Sequence, residues 1–250
     1  MIAYTHPKEP PEHLSVKASS EADLRAAIAN YGSYTKIPTN VKNEIFSLCG
    51  SALVKDIIFS ASYEKCVYCE VNPSESGTRQ NDHFLPKSVH THLAFEWDNY
   101  LPCCHQCNSY KGKQDPSKSG AFKPGSGDPR DHIIFNTLKI EASPQSFRYS
   151  EIDQTIKMCK LNRKNLLKSR SLILIELISF ENALLEAVDH FNQSKSERQR
   201  SIRLSSVRES LENVEAYSLE DQAHSAMSSD YLLRSTVVLA AKSLLKQHSE

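Results

Sequence analysis

Two C-x-x-C pairs, Cys66-Val67-Tyr68-Cys69 and Cys104-His105-Gln106-Cys107, constrain this chain more than any other feature. Each pair offers two thiolates from one tight turn, and the two turns lie a few tens of residues apart, the spacing of a four-thiolate zinc site. A tetrahedral Zn²⁺ held by Cys66, Cys69, Cys104 and Cys107 would clamp both turns together.

The chain carries seven cysteines, an odd count that fits thiolate–metal chemistry better than a disulfide framework. A thioredoxin-like redox role for Cys66 and Cys69 would need a βαβ setting that is missing here, and would leave the second pair without a purpose. Cys49 and Cys159, in apolar helical surroundings, read as small buried thiols. Cys103 and His105 flank a ligand, yet sequence neighbours rarely reach one tetrahedral ion together, so both fall outside the zinc set.

Between and just after the pairs lie Asp82-His83-Phe84-Leu85-Pro86-Lys87, then Trp97-Asp98-Asn99, and finally Asn108 with Lys111-Gly112. This oxygen-and-imidazole set does not suit the thiolate ion and points to separate chemistry. His90 and His92 form an H-x-H, but nothing near them in sequence completes a metal site.

The pattern C-x-x-C, Asp-His-x-x-Pro, Asn, C-x-x-C-Asn-x-x-Lys-Gly over Cys66 to Gly112 resembles the HNH, or ββα-metal, nucleases in their zinc-stapled form. A looser likeness runs over nearly the whole chain, through Pro10, Pro11 and Leu14 at the front and Leu161-Asn162-Arg163 before the tail. In this it is similar to the HNH nuclease subunit of Septu-type and retron-associated anti-phage defence systems. The resemblance implies an α+β, mainly helical fold: a ββα-metal core stapled by a four-cysteine zinc site, N-terminal helices, and a C-terminal helical bundle. It also implies an ATPase subunit as partner.

Phosphodiester hydrolysis needs a nucleophile made from water, neutralised phosphate charge and a stabilised leaving oxygen. His83 can take a proton from water, and Asp82 and Asn108 offer hard oxygen ligands suited to Mg²⁺ or Mn²⁺. By resemblance, His83 is the general base, Asp82 and Asn108 hold the catalytic metal, and Asn99 positions the loop bearing the histidine. The expected products are 5′-phosphate and 3′-hydroxyl ends. Lys87 and Lys111 read either as phosphate contacts or as ordinary solvated lysines.

Thirty basic and thirty acidic side chains balance, so no global positive field marks a polyanionic partner, and nucleic-acid contact must come from local patches or another subunit. Lys157, Lys160, Arg163, Lys164, Lys168 and Arg170 form one basic cluster, and Arg198, Arg200 and Arg203 another. Charged helix faces are more often simply solvated than ligand-bound. The opening lacks the pattern of a signal peptide and no apolar run approaches membrane-spanning length, which predicts a cytoplasmic protein with no membrane contact.

The resemblance, with the hydrophobic pattern on either side of it, implies an N-terminal arm and helices (1–62), an HNH nuclease core with zinc knuckles (63–125), and a connector hairpin with a C-terminal helical region (126–250). Helices are expected from Ser20 to Gly32, from Thr39 or Asn40 to Gly50, and through Leu53, Ile57 and Ile58. Residues 72–77 read as a loop, and the resemblance implies short strands at 80–85 and 96–101 and a helix from His105 onward. A Lys-, Pro- and Gly-rich connector from Lys111 to Arg130 should hold neither helix nor central strand. His132–Asn136 and Ser146–Tyr149 alternate as a hairpin. Leu166, Ile173, Leu177, Phe180, Leu184, Val188 and Phe191 mark one long amphipathic helix. A second helix should carry Ile202, Val207 and Leu211, and a third should begin after Ser229 or Asp230.

Other readings remain open at this level. The leading expectation is the metal-dependent HNH endonuclease; its rivals are a non-enzymatic zinc module that binds nucleic acid or protein, and a stand-alone restriction-type or mobile-element nuclease. Sequence does not separate duplex DNA, single-stranded DNA and structured RNA as substrates.

Overall fold

Three helices open the described fold. α1 spans Lys17–Tyr31, α2 Thr39–Ile45 and α3 Ala52–Ser60. The structure, a computed structural model, describes residues 1–11, 17–73 and 79–248. Leu14 of the proline-rich opening and residues 74–77 of the expected loop lie outside the described residues. α1 begins at Lys17, so Ser20 sits inside the helix and is buried rather than capping it. It stops at Gly32, whose φ of 80° is the left-handed conformation a glycine adopts freely. α3 starts at Ser51, whose hydroxyl accepts from the Val54 amide, a cap worth about 1 kcal/mol. Val54, Ile58 and Phe59 form its buried face, whereas Leu53, expected inside, is exposed.

These side chains share one core with Leu24, Ile37, Phe46, Ala94, Phe95, Trp97 and Tyr100. The front end therefore packs directly on the segment that carries the site. So does the opening arm: Met1, Ile2 and Tyr4 are buried, the Ile2 amide donates to the Val67 carbonyl at 3.4 Å, and Trp97 Nε1 donates to the Pro7 carbonyl at 2.6 Å.

β1 (Arg79–His83) and β2 (Tyr100–Cys104) pair antiparallel, in register from Arg79 opposite Cys104 to His83 opposite Tyr100. α4 (His105–Lys111) follows at once and packs on both strands. The second strand starts later than the expected 96–101. Residues Trp97–Asn99 instead form a 3₁₀ turn closed by Asn99 N–H donating to the Glu96 carbonyl at 3.0 Å. β2 is buried throughout, as befits a strand covered on both faces.

The connector does hold a helical turn, contrary to expectation: α5 (Pro116–Ser119) starts where the Asp115 carboxylate accepts from the Ser117 amide. β3 (Ile133–Asn136) pairs with β4 (Lys139–Ala142), not with Ser146–Tyr149. Thr137, at a φ of 56°, supplies the left-handed step of a tight connection, and the nearer partner wins. Tyr149 instead opens α6 (Tyr149–Met158), and Phe147 is 88% exposed.

The tail consists of α7 (Lys164–Asn192), α8 (Glu197–Glu215), α9 (Ser225–Arg234) and α10 (Thr236–Gln247). The single last helix of the sequence reading is two, because Ser235 leaves helical geometry and its hydroxyl caps α10 by accepting from the Val238 amide at 3.1 Å. Leu177, Leu184, Phe191, Val207, Leu211, Val214 and Val238 build the tail core, while Phe180 and Ile202 of the expected stripes are exposed.

The chain divides into two compact units, one of 1–133 with 141–161 and one of 134–140 with 162–250. The expected segments 1–62 and 63–125 thus fall within one unit. The boundary between the two units falls at Leu161, with seven residues of the β3–β4 hairpin counted in the tail unit. Among the described residues the protein is mainly helical with two small two-stranded sheets, and no helix is long and apolar enough to cross a membrane.

Candidate functional site

Cys66, Cys69, Cys104 and Cys107 converge, all four buried, with sulfur atoms within 4.8 Å of one another. A Zn²⁺ with bonds of ~2.3 Å to tetrahedral ligands sets its sulfurs ~3.8 Å apart. The Cys69 and Cys104 sulfurs lie 3.7 Å apart, so the group fits one metal ion. Each pair owes its geometry to the local backbone. After Cys66 the chain reverses through Glu70, at a φ of 65°, whose amide donates to the Cys66 carbonyl at 2.9 Å. Cys104 is the N-cap of α4 and its sulfur accepts from the Cys107 amide, so the x-x spacing brings both thiols to the helix start. The positive end of a helix favours thiolates there. Cys103 stands outside the four, its sulfur 4.0 Å from that of Cys66. His105 is exposed.

The strand pleat distributes Asp82 and His83 to opposite faces of β1. On one side the Asp82 carboxylate accepts at both oxygens, from Tyr68 OH at 2.9 Å on Oδ2 and from Lys111 Nζ at 2.9 Å on Oδ1. On the other, the His83 ring meets Tyr100 edge-on at 5.0 Å and Phe46 at 6.2 Å. His83 Nε2 lies 2.9 Å from the Ala94 carbonyl. A carbonyl only accepts, so the ring donates from Nε2, and in neutral imidazole the lone pair is then on Nδ1.

Burial first, then the nearby charge of Lys87 and of Lys111, lowers the His83 pKa from 6.5 to about 3. The ring is neutral at ordinary pH. Between pH 6.5 and about 3 the unfolded chain binds a proton here that the folded chain does not, so stability falls as pH drops through that window and is unaffected above it. Urea unfolding of wild type and His83→Gln from pH 7 to 4 should show the stability gap between them closing by on the order of a few kcal/mol. A constant gap would contradict this assignment.

Asn99 bonds three ways: its Oδ1 accepts from the Leu85 amide at 2.7 Å, and its Nδ2 donates to the Leu85 and Leu93 carbonyls at 3.0 Å each. Its own carbonyl accepts from the Phe84 amide at 2.8 Å. It thereby ties the segment after His83 to the segment before β2. Asn108, on α4, is half-buried, and its side chain has no hydrogen-bond partner among the described residues.

Asp82, His83 and Asn108 line one cleft of about 230 Å³, together with Tyr34, Lys87, Lys111 and Lys113. Lys87 is half-buried with its ammonium 4.0 Å over the Phe46 ring. Lys111, expected either as a phosphate contact or as a solvated lysine, is not solvated. It is 1% exposed and also donates to the His83 carbonyl at 2.6 Å. Arg170 likewise leaves the basic cluster, buried with Nη1 donating to the Leu138 carbonyl. His90 of the H-x-H pairs with Asp115 at 2.9 Å, and no metal group forms around it among the described residues.

Sequence reasoning passed over Tyr68. Its place between two ligand cysteines marks it as part of a knuckle, and only the fold reveals that its hydroxyl serves Asp82. Tyr34 carries no signal at all, standing far from the motif in sequence yet on the cleft wall.

Part of the chain is similar to the Septu protein PtuB of Bacillus thuringiensis. The two are 31% identical over 154 residues, which cover 58% of this chain and 56% of PtuB. The chain thus spans little more than half the length of that relative. No family model matches the chain.

Proposed function

We propose that the chain is a metal-dependent HNH endonuclease, the effector of an anti-phage defence system acting with an ATPase subunit. The observation that carries the reading is the meeting of Asp82, His83 and Asn108 in one cleft of the strand–strand–helix unit that also bears the four-cysteine group. The likeness to a Septu protein supports the defence setting.

His83, neutral and held by Ala94, is the base that takes a proton from the attacking water at Nδ1. Asn99 fixes the loop that carries it. Asp82 and Asn108 supply the carboxylate and amide oxygens suited to a hard cation. When bound, Mg²⁺ or Mn²⁺ would neutralise the phosphate and the departing 3′ oxygen. Zinc at the four cysteines is structural, since thiolates complete its shell.

One observation favours the rival reading, a zinc module without catalysis: both Asp82 oxygens are already engaged by protein donors. An assay on duplex DNA, single-stranded DNA and transfer RNA decides between them. Cleavage of at least one, lost in mild EDTA and restored by Mg²⁺ or Mn²⁺, is expected. Inertness toward all three, with and without the co-expressed ATPase, overturns the enzyme.

The balanced charge of the chain argues that substrate affinity comes in large part from the partner. Co-expression with an ATPase encoded beside it should give a complex that is lost when the chain is cut after Leu161, the end of the unit that holds the site. A cut at Glu151 is unsuitable, because it removes the buried side chains Ile152, Ile156 and Leu161 from that unit. Retention of the complex by 1–161 would place docking elsewhere.

A further inference from the structure

We propose that Lys111 is an internal counter-cation that closes the Asp82 carboxylate to divalent metal, so that the cleft admits Mg²⁺ or Mn²⁺ only when its ammonium moves away. The proposal rests on the nuclease reading for its choice of Asp82 as a ligand.

The geometry is that of a filled position. Lys111 Nζ sits 2.9 Å from Oδ1 of Asp82 and 2.6 Å from the His83 carbonyl, with side-chain exposures of 1% for the lysine and 3% for the aspartate. Tyr68 OH takes the second carboxylate oxygen at 2.9 Å. The carboxylate thus meets a full cationic charge and a hydroxyl donor in a place that water scarcely reaches. A carboxylate has lone pairs to spare, so geometry alone would allow another ligand. Charge is the obstacle: a divalent ion at Oδ1 would share one oxygen with an ammonium, in surroundings where such repulsion is poorly screened.

Helix phase makes the competition local. Asn108 and Lys111 are three residues apart on α4 and so share a face, which presents the other oxygen ligand and the competing cation to the same cleft. Lys111 is the last residue of α4, with Gly112 already out of helical geometry at a φ of 53°. Four side-chain bonds give its ammonium a route into the cleft that it already lines, where an incoming phosphate would receive it. Substrate and metal would then load together, because the phosphate offers the displaced charge a new partner. A cleft without substrate would stay metal-poor.

The test reads metal binding rather than cleavage. Mn²⁺ affinity of the purified full chain is measured by electron paramagnetic resonance for wild type, Lys111→Met and Asp82→Asn, without nucleic acid. Lys111→Met should bind Mn²⁺ about tenfold tighter or more, and Asp82→Asn no better than wild type. Because Lys111→Met leaves a buried carboxylate unpaired and risks misfolding, wild-type crystals soaked in excess Mn²⁺ give an independent readout. The anomalous signal should sit at Asp82 with the Lys111 ammonium withdrawn.

Unchanged or weaker affinity in Lys111→Met overturns the proposal, as does Mn²⁺ at Asp82 with the ammonium still in place. If the chain nevertheless cuts nucleic acid in Mg²⁺, the lock alone is lost. If no variant binds Mn²⁺ at Asp82 and nothing is cut, the nuclease reading goes with it.

Discussion

Cys107→Ser should yield a chain that neither retains zinc nor melts cooperatively. Metal binding to four thiolates contributes about 10–16 kcal/mol of apparent free energy, and a domain of ordinary stability has only about 5–15 kcal/mol in all. Losing one ligand therefore removes a sum comparable to the whole. The burial of all four cysteines sharpens the effect, since three thiols left without an ion have no water to solvate them. Metal analysis of the purified wild type should give one zinc per chain, and thermal unfolding by circular dichroism should show no transition, or one shifted down by tens of degrees, in the variant. A wild-type-like melt in Cys107→Ser would remove the metal from the account of folding.

His83→Gln should lower cleavage by about 10²- to 10⁴-fold, the range expected for deleting a general base. Glutamine is preferable to alanine here. The His83 ring fills a space between Phe46 and Tyr100 and donates to the Ala94 carbonyl, so alanine would leave both a cavity and an unpaired acceptor. A glutamine amide can still donate from a position near that of Nε2 while offering no basic nitrogen. Single-turnover cleavage of the preferred substrate, on protein whose melting at pH 7 is checked in parallel, separates chemistry from stability. Activity within a few-fold of wild type would transfer the base to another residue.

What sequence makes legible here is whatever is encoded over short distances. The four-cysteine group follows from two local spacings, and the long helix α7 from a stripe at three- and four-residue steps. Contacts made across the chain are silent. Tyr68 and Lys111 reach Asp82 from sites 14 and 29 residues away, and neither residue type announces such a partner. A lysine beside a glycine looks solvated until a helix turns it inward. Likewise, the alternation at 146–149 is as good as that at 139–142, and loop closure alone decides which segment pairs with β3.

The pairing of Arg79 with Cys104 gives the first pair of cysteines and the second a further task. Cys104 is at once a ligand candidate and the last rung of β2, so an ion that pins it also sets the reading frame of β1 alongside. A slip of one rung, ~3.3 Å, would exchange the sides to which Asp82 and His83 point. Acid would then face Phe46 and imidazole would face Lys111. An ion held by the four cysteines would act as the zero mark of a ruler whose far end is the cleft. A chain without the ion would lose that mark together with the fold the ion helps to hold, and with it the sides to which Asp82 and His83 point.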